Sequence, residues 1–162
     1  MTANNAIVSA GRHVVAAGFI ALAGLATSAA TASAEEHVVE MLNRGESGIM
    51  VFEPALVRAM PGDTVRFVPV DPSHNAVSVE GMMPAEAETL EGGMNEEVVY
   101  AVEQQGVYGI HCTPHYAMGM VALIQVGDDL SNLDKAREAA AKAPGRAKTV
   151  FARLFDELQA SE

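Results

Sequence analysis

The 162-residue chain has one cysteine, in the run His111-Cys112-Thr113-Pro114-His115-Tyr116-Ala117-Met118-Gly119-Met120. His115 follows Cys112 by three residues, and Met118 and Met120 follow within eight. A thiolate, an imidazole and a thioether on one short loop make a soft donor set. Copper accepts all three donor types, whereas zinc prefers four strong nitrogen or sulfur ligands. A second histidine from elsewhere would complete a trigonal His₂Cys set with a weak axial methionine. A lone cysteine otherwise serves as a small buried hydrophobe or stands as an oxidisable thiol. It excludes an intramolecular disulfide framework, a CxxC redox pair and a Cys-rich zinc site.

Three histidines could supply the second imidazole: His37, His74 and His111. His111 precedes Cys112 in a β-prone run, so the two side chains point to opposite faces. His37 reads as an exposed or edge-strand residue. His74 lies in the turn Asp71-Pro72-Ser73-His74-Asn75, directly after a strongly alternating strand, where it can reach the cysteine loop. His74 is therefore the expected partner. With two histidines committed, too few remain to build a second, catalytic copper centre in one subunit, which argues against a multicopper oxidase or reductase.

The elements that must hold these residues are mostly strands. Thr64–Val70 alternates, with Val65 and Phe67 on one face and Arg66 on the other. His37–Leu42, Gly48–Phe52, Leu56–Ala59, Asn75–Val79, Val98–Val102, Val107–Cys112 and Met120–Val126 read as further strands between turns such as Met60-Pro61-Gly62-Asp63. Seven or eight closely spaced strands predict an all-β sandwich over residues 35–128. Gly81–Asn95 reads as a long irregular connection. From Asp129 the pattern turns helical. Ser131 or Asn132 can cap a first helix reaching about Lys142, and Pro144-Gly145 breaks it. Ala147, Val150, Phe151, Leu154, Phe155 and Leu158 then fall on one helical face, expected to pack on the sandwich. Residues 129–162 thus form a helical extension.

The N-terminus has a different character. Val14–Ala30 is an apolar run preceded by Arg12 and followed by Ala32-Ser33-Ala34, an A-x-A cleavage pattern. The run is short and rich in Ala and Gly for a membrane span. Residues 1–34 are expected to be a signal peptide, cleaved to leave a chain beginning at Glu35, with export through the general secretory route and no membrane attachment afterwards. Formal net charge is −11, from 10 Lys+Arg against 21 Asp+Glu. Such a surface argues against nucleic acid as partner.

The segments Glu40-Met41-Leu42-Asn43-Arg44-Gly45, Met50-Val51-Phe52-Glu53-Pro54, Pro61-Gly62-Asp63-Thr64-Val65, Val70-Asp71 with His74-Asn75, and Cys112–Met120 closely resemble the pseudoazurins, blue copper proteins of the cupredoxin superfamily. The resemblance spans Glu35–Glu162 and includes the two C-terminal helices, which plastocyanins and amicyanins lack. It implies a Greek-key cupredoxin sandwich and one type 1 copper ion per subunit, held by His74, Cys112, His115 and Met120. Met120 opens the last strand, whereas Met118 lies in mid-loop. The resemblance further implies that Asn75 ties the two ligand loops together and offers its backbone amide to the cysteine sulfur. Met50 would lie close to the exposed His115, and Pro114 and Met118 beside it would form an apolar docking patch.

In function the resemblance implies a monomeric periplasmic one-electron shuttle, not an enzyme. Transient docking partners would be nitrite reductase, nitrous-oxide reductase or cytochrome c, in denitrification. The alternative is a periplasmic copper carrier or buffer with no electron-transfer role. The chain departs from the family in one respect. The family carries a ring of lysines around the exposed histidine, whereas Glu35–Asp128 has no lysine, only Arg44, Arg58 and Arg66 against 15 acidic residues.

Overall fold

A computed structural model describes residues 1–2 and 34–160. The apolar run of the expected leader and the Ala32-Ser33 part of its cleavage site lie outside the described residues. Residues from Ala32 onward form a unit of their own.

Among the described residues there are eight strands: β1 Glu36–Gly45, β2 Gly48–Glu53, β3 Leu56–Ala59, β4 Asp63–Pro69, β5 Val77–Ser78, β6 Val98–Val102, β7 Gly106–His111 and β8 Val121–Val126. They make two four-stranded sheets, ordered β2-β1-β4-β6 and β3-β8-β7-β5. The pairs β1/β4 and β3/β8 are parallel, and the others are antiparallel. The chain crosses repeatedly between sheets, as a sandwich of this connectivity requires.

Alternation decides which side chains fill the space between the sheets. Val39 and Met41 of β1, Val65 and Phe67 of β4, and Tyr100 and Val102 of β6 meet Tyr108 and Ile110 of β7 and Ala122, Ile124 and Val126 of β8. Cys112 and Met120 belong to the same buried cluster. Strand β8 is buried at every position. Its other face, Val121 and Leu123, packs with Val107 of β7 in a second cluster built on two helices. This accounts for the unbroken apolar run from Val121 to Ile124, because a strand covered on both sides has no solvent face to make polar.

The helices are α1 Leu133–Ala140 and α2 Ala147–Ala160. On α2, the expected stripe of Ala147, Phe151, Leu154, Phe155 and Leu158 is buried, and Val150 is half-buried. Asn132 stands at the N-terminal boundary of α1 but does not cap it with its side chain. Its Oδ1 instead accepts from Val107 N–H at 2.8 Å, and its Nδ2 donates to Val107 O at 2.7 Å. The side-chain amide thus extends the β7 ladder and fastens α1 to the sheet edge. Two arginines hold the far end of α2. Arg58 donates to Leu158 O at 3.0 Å, and Arg137 donates to Phe155 O at 3.2 Å while its guanidinium lies 4.8 Å from the Phe155 ring centre.

The expected strand at Asn75–Val79 shrinks to Val77–Ser78, because His74 and Asn75 are occupied elsewhere. His74 O accepts from Asn95 N–H, and the Asn75 side chain reaches the cysteine loop. β1, conversely, runs three residues past the expected Leu42, which brings Asn43 into the sheet.

Phe155 is buried within the second cluster, so Phe155→Ala should cost about 3–5 kcal/mol of stability. Urea unfolding of the two proteins measures this; a loss below about 1 kcal/mol would show that the α2 stripe is not a packed core.

Candidate metal centre

The centre lies at one end of the sandwich, where β4 leads into the His74 turn and β7 is joined to β8. Cys112 N–H donates to Met120 O at 3.0 Å, which continues the β7–β8 ladder and brings the two ends of the loop together. Inside the loop, His115 N–H donates to Cys112 O, Met118 N–H to His115 O and Gly119 N–H to Tyr116 O, around a single 3-10 turn at Tyr116–Met118. Gly119 has φ of 95°, in the left-handed region that glycine enters without strain. A Cβ there would stand 3.0 Å from Val150 and 3.2 Å from Arg146 of the helical extension. The loop is therefore short, internally bonded and pressed from outside.

This construction delivers three donors to one point. Cys112 Sγ lies 3.7 Å from His74 Nδ1 and 3.5 Å from His115 Nδ1, and the two Nδ1 atoms are 3.1 Å apart. A triangle with these sides has a point about 2 Å from every corner, the reach of a metal–imidazole bond and slightly short of a metal–thiolate bond. The rings meet edge to face, with centres 4.9 Å apart. Among the described residues this is the one group of three or more His, Cys or acidic side chains with donor atoms so close.

The four expected ligands differ in exposure. His74, Cys112 and Met120 are fully buried, while His115 is half-buried and reaches the surface. Met120 shares the inter-sheet core with Cys112, whereas Met118 is 40% exposed. Pro114 is exposed and Met50 is half-buried against the core, so the expected docking residues do reach or border the surface.

Two asparagines fix the donors. Asn75 Oδ1 accepts from Thr113 N–H at 2.8 Å, and its Nδ2 donates to Thr113 Oγ1 and Gly92 O, so the His74 turn and the cysteine loop are tied as expected. The backbone N–H groups of Asn75 and His115 are directed at the Cys112 sulfur. Asn43 was not singled out in the sequence. Its Oδ1 lies 3.1 Å from His74 Nε2. A proton on Nε2, donated to that oxygen, leaves the Nδ1 lone pair facing Cys112. The available signal was an asparagine at the end of a strand, which is no more telling than a turn residue.

The electrostatics suit a metal. Burial pushes the Cys112 thiol pKa up, and the two backbone amides only partly oppose this. Burial, and then the neighbouring His115, lower the His74 pKa, which keeps the ring neutral. A thiol held beside two imidazoles releases its proton when a cation takes its place.

The other two candidate histidines lie elsewhere. The His111 ring stacks at 4.3 Å on Tyr116, on the face opposite Cys112, with its Nδ1 buried and unpartnered. His37 is half-buried at the far end of β1, 3.1 Å from the Asp63 carboxylate.

Comparison with known proteins agrees with this arrangement. Residues 39–127 match the family model described as copper binding proteins, plastocyanin/azurin family. A pseudoazurin of Paracoccus pantotrophus is 48% identical over 136 residues, covering 84% of this chain and 90% of the relative. One from Methylorubrum extorquens is 48% identical over 121 residues, covering 73% and 82%. The solved pseudoazurin of Sinorhizobium meliloti superposes with a TM-score of 0.74 at 42% identity, covering 79% of this chain and 99% of that one. The solved pseudoazurin of Methylobacterium extorquens gives 0.73 at 41% identity, with 76% and 98% covered. Likeness of this depth, running through both sheets, makes the chain a member of the plastocyanin/azurin family of copper-binding proteins, of the pseudoazurin kind: a cupredoxin that carries electrons on copper and is not an enzyme.

Proposed function

We propose that this chain is a periplasmic one-electron shuttle whose copper is held by His74, Cys112, His115 and Met120. The observation that carries this is the buried Cys112 Sγ, 3.5 and 3.7 Å from two imidazole nitrogens on a bonded, buttressed loop. Copper supplies the reversible Cu(II)/Cu(I) couple; soft sulfur favours the reduced ion, and imidazole remains acceptable to the oxidised one. The protein holds the donors still. Asn43 orients His74, Asn75 locks one ligand loop to the other, and the Cys112–Met120 hydrogen bond prevents the loop from opening. A copper carrier needs an exchangeable site, and three buried donors oppose that. His115, half-buried at the surface, is the electron port, and exposed Pro114 and Met118 beside it provide a small apolar contact suited to a brief redox encounter. The proposed acceptor is a nitrite or nitrous-oxide reductase; the apolar run Val14–Ala30 followed by Ala32-Ser33-Ala34 supports a leader cut after Ala34, and with it the periplasm.

The copper-loaded protein should show an intense thiolate-to-copper(II) band. Cys112→Ala should fold and lose it, and a folded Cys112→Ala that keeps the band would defeat the ligand set. Met120→Gln or Met120→Leu should shift both spectrum and potential, whereas Met118→Leu should leave them nearly unchanged. The reverse pattern would move the axial ligand to Met118.

Asn43→Ala removes the group that orients His74. Copper affinity should fall about 10–100-fold, the usual effect of losing such a partner. Competition with a chelator measures it, and unchanged affinity would mean that the ring is held by packing alone.

Docking should rest mainly on the apolar patch, because the sandwich has few positive charges. Stopped-flow rates with an acidic-faced reductase should stay level or rise with salt, since screening relieves like-charge repulsion. A steep fall with salt would instead reveal a local basic patch. Arg146, whose backbone N–H bonds Ala117 O in the ligand loop, is the residue to replace in that event.

A further inference from the structure

At the end of the sandwich remote from Cys112, a buried carboxylate holds the point where the chain enters the fold. Asp63, the first residue of β4, is only 5% exposed. Its Oδ1 accepts from Glu35 N–H at 2.8 Å, and its Oδ2 accepts from Met60 N–H at 2.7 Å and faces His37 Nε2 at 3.1 Å. Glu35 O in turn accepts from Thr64 N–H at 2.9 Å. The Glu35 backbone is thus held at both its N–H and its carbonyl, although Glu35, like Ala34 before it, is exposed. The Asp63 pKa is lowered to about 2, first by the Glu35 N–H, then by Met60 N–H and His37. The carboxylate is ionised and nearly out of water, and buried charges are ordinarily paired. Among the described residues, two neutral amides and one imidazole face it.

We propose that removal of the leader arms a clamp at this point: the new α-ammonium of Glu35 replaces its backbone N–H on Asp63, so that maturation converts a neutral hydrogen bond into a partly solvated ion pair tying β1 to the β3–β4 turn. This rests on the reading that export cuts after Ala34. Hydrolysis of the Ala34–Glu35 amide consumes one water, breaks the C–N bond, leaves a carboxylate on Ala34 and leaves an amine on Glu35 that is protonated at neutral pH. Full stability of the sandwich then follows cleavage, and the precursor holds the same contact without the charge.

The pH dependence has a definite sign. A free α-amine titrates near 7.7–8.0 in an unfolded chain. Asp63 raises that value in the folded protein, so the contribution is complete below about 7.7 and is lost as pH rises through the raised value. The Asp63 contribution is present above about 3.9, its unfolded value, and is lost as pH falls through about 2. Other groups lining the same hollow are His37, Arg58, Asp128 and the Glu35 side chain. They are common to every form compared below and cancel.

The test uses two copper-loaded proteins that begin at Glu35, one with a free α-amine and one N-acetylated, unfolded in urea at pH 6.5 and pH 10. At pH 6.5 the unfolding constant of the free-amine form should be about three- to tenfold smaller, as a charge-assisted but partly solvated pair allows. The gap should close at pH 10 and should shrink in Asp63→Asn. Equal stability at pH 6.5, or a gap that persists at pH 10 or in Asp63→Asn, overturns the clamp. If Asp63→Asn does not fold, the pH comparison decides alone. Mass spectrometry of the exported protein separately tests the cut: a first residue other than Glu35 would overturn the export reading, and the two Glu35 proteins would still decide the clamp.

Discussion

The copper end of the molecule depends on the hydrogen bond from Cys112 N–H to Met120 O. That bond makes the loop between β7 and β8 an extension of the sheet instead of a free connection. Because β7 and β8 are in register from Gly106↔Val126 to His111↔Val121, Cys112 is the next residue along an already determined ladder. Pleating then sends its side chain inward with Tyr108 and Ile110 and sends His111 outward. The rigidity that a redox site needs comes from the sheet, and the loop contributes only the span that returns His115 to the thiol.

The second imidazole comes from the other loop. His74 is fully buried, and a buried imidazole must find partners for both nitrogens. Asn43 takes Nε2, and Nδ1 faces His115 and the sulfur. The parallel pairing of β1 with β4 makes this possible. Because Met41 is opposite Pro69, Asn43 and the turn beyond β4 arrive at the same end of the sheet, where Asp71 also accepts from Asn43 N–H at 2.7 Å. The same parallel pair brings Glu35 and Asp63 together at the other end. One strand pairing thus positions both the asparagine that bonds His74 and the entry point of the chain.

Much of this was legible in the sequence. Cys112, His115 and the turn histidine, which the structure brings together, could be picked out by residue type and position, and the α2 stripe by its period. Asn43 and Asp63 could not, because their roles arise from strand register, and a parallel pairing between residues 28 apart leaves no local pattern. Asn132 shows the converse error. Its type and position suggest a helix cap, yet the amide found a better use on Val107, whose ladder groups would otherwise lack partners at the sheet edge. The Asn75–Val79 strand was overestimated for a related reason, since the functional residues at its start are bonded across loops and leave the ladder early.

The helical extension is more than a cover for the second sheet. Its helices bury the outer face of β8, and this allows β8 to be apolar from Val121 to Ile124 and buried along its whole length. At the start of α2 the extension also touches the ligand loop itself. Arg146 N–H donates to Ala117 O, and Val150 and Arg146 lie against Gly119, whose left-handed turn glycine adopts without strain. The loop carrying Cys112 and His115 is therefore held on the inside by the Cys112–Met120 bond and on the outside by α2. Stiffness at the copper site is distributed over the sheet, the Asn75 tie and the tail, so loosening the tail should be felt at the site before it is felt in the inter-sheet core.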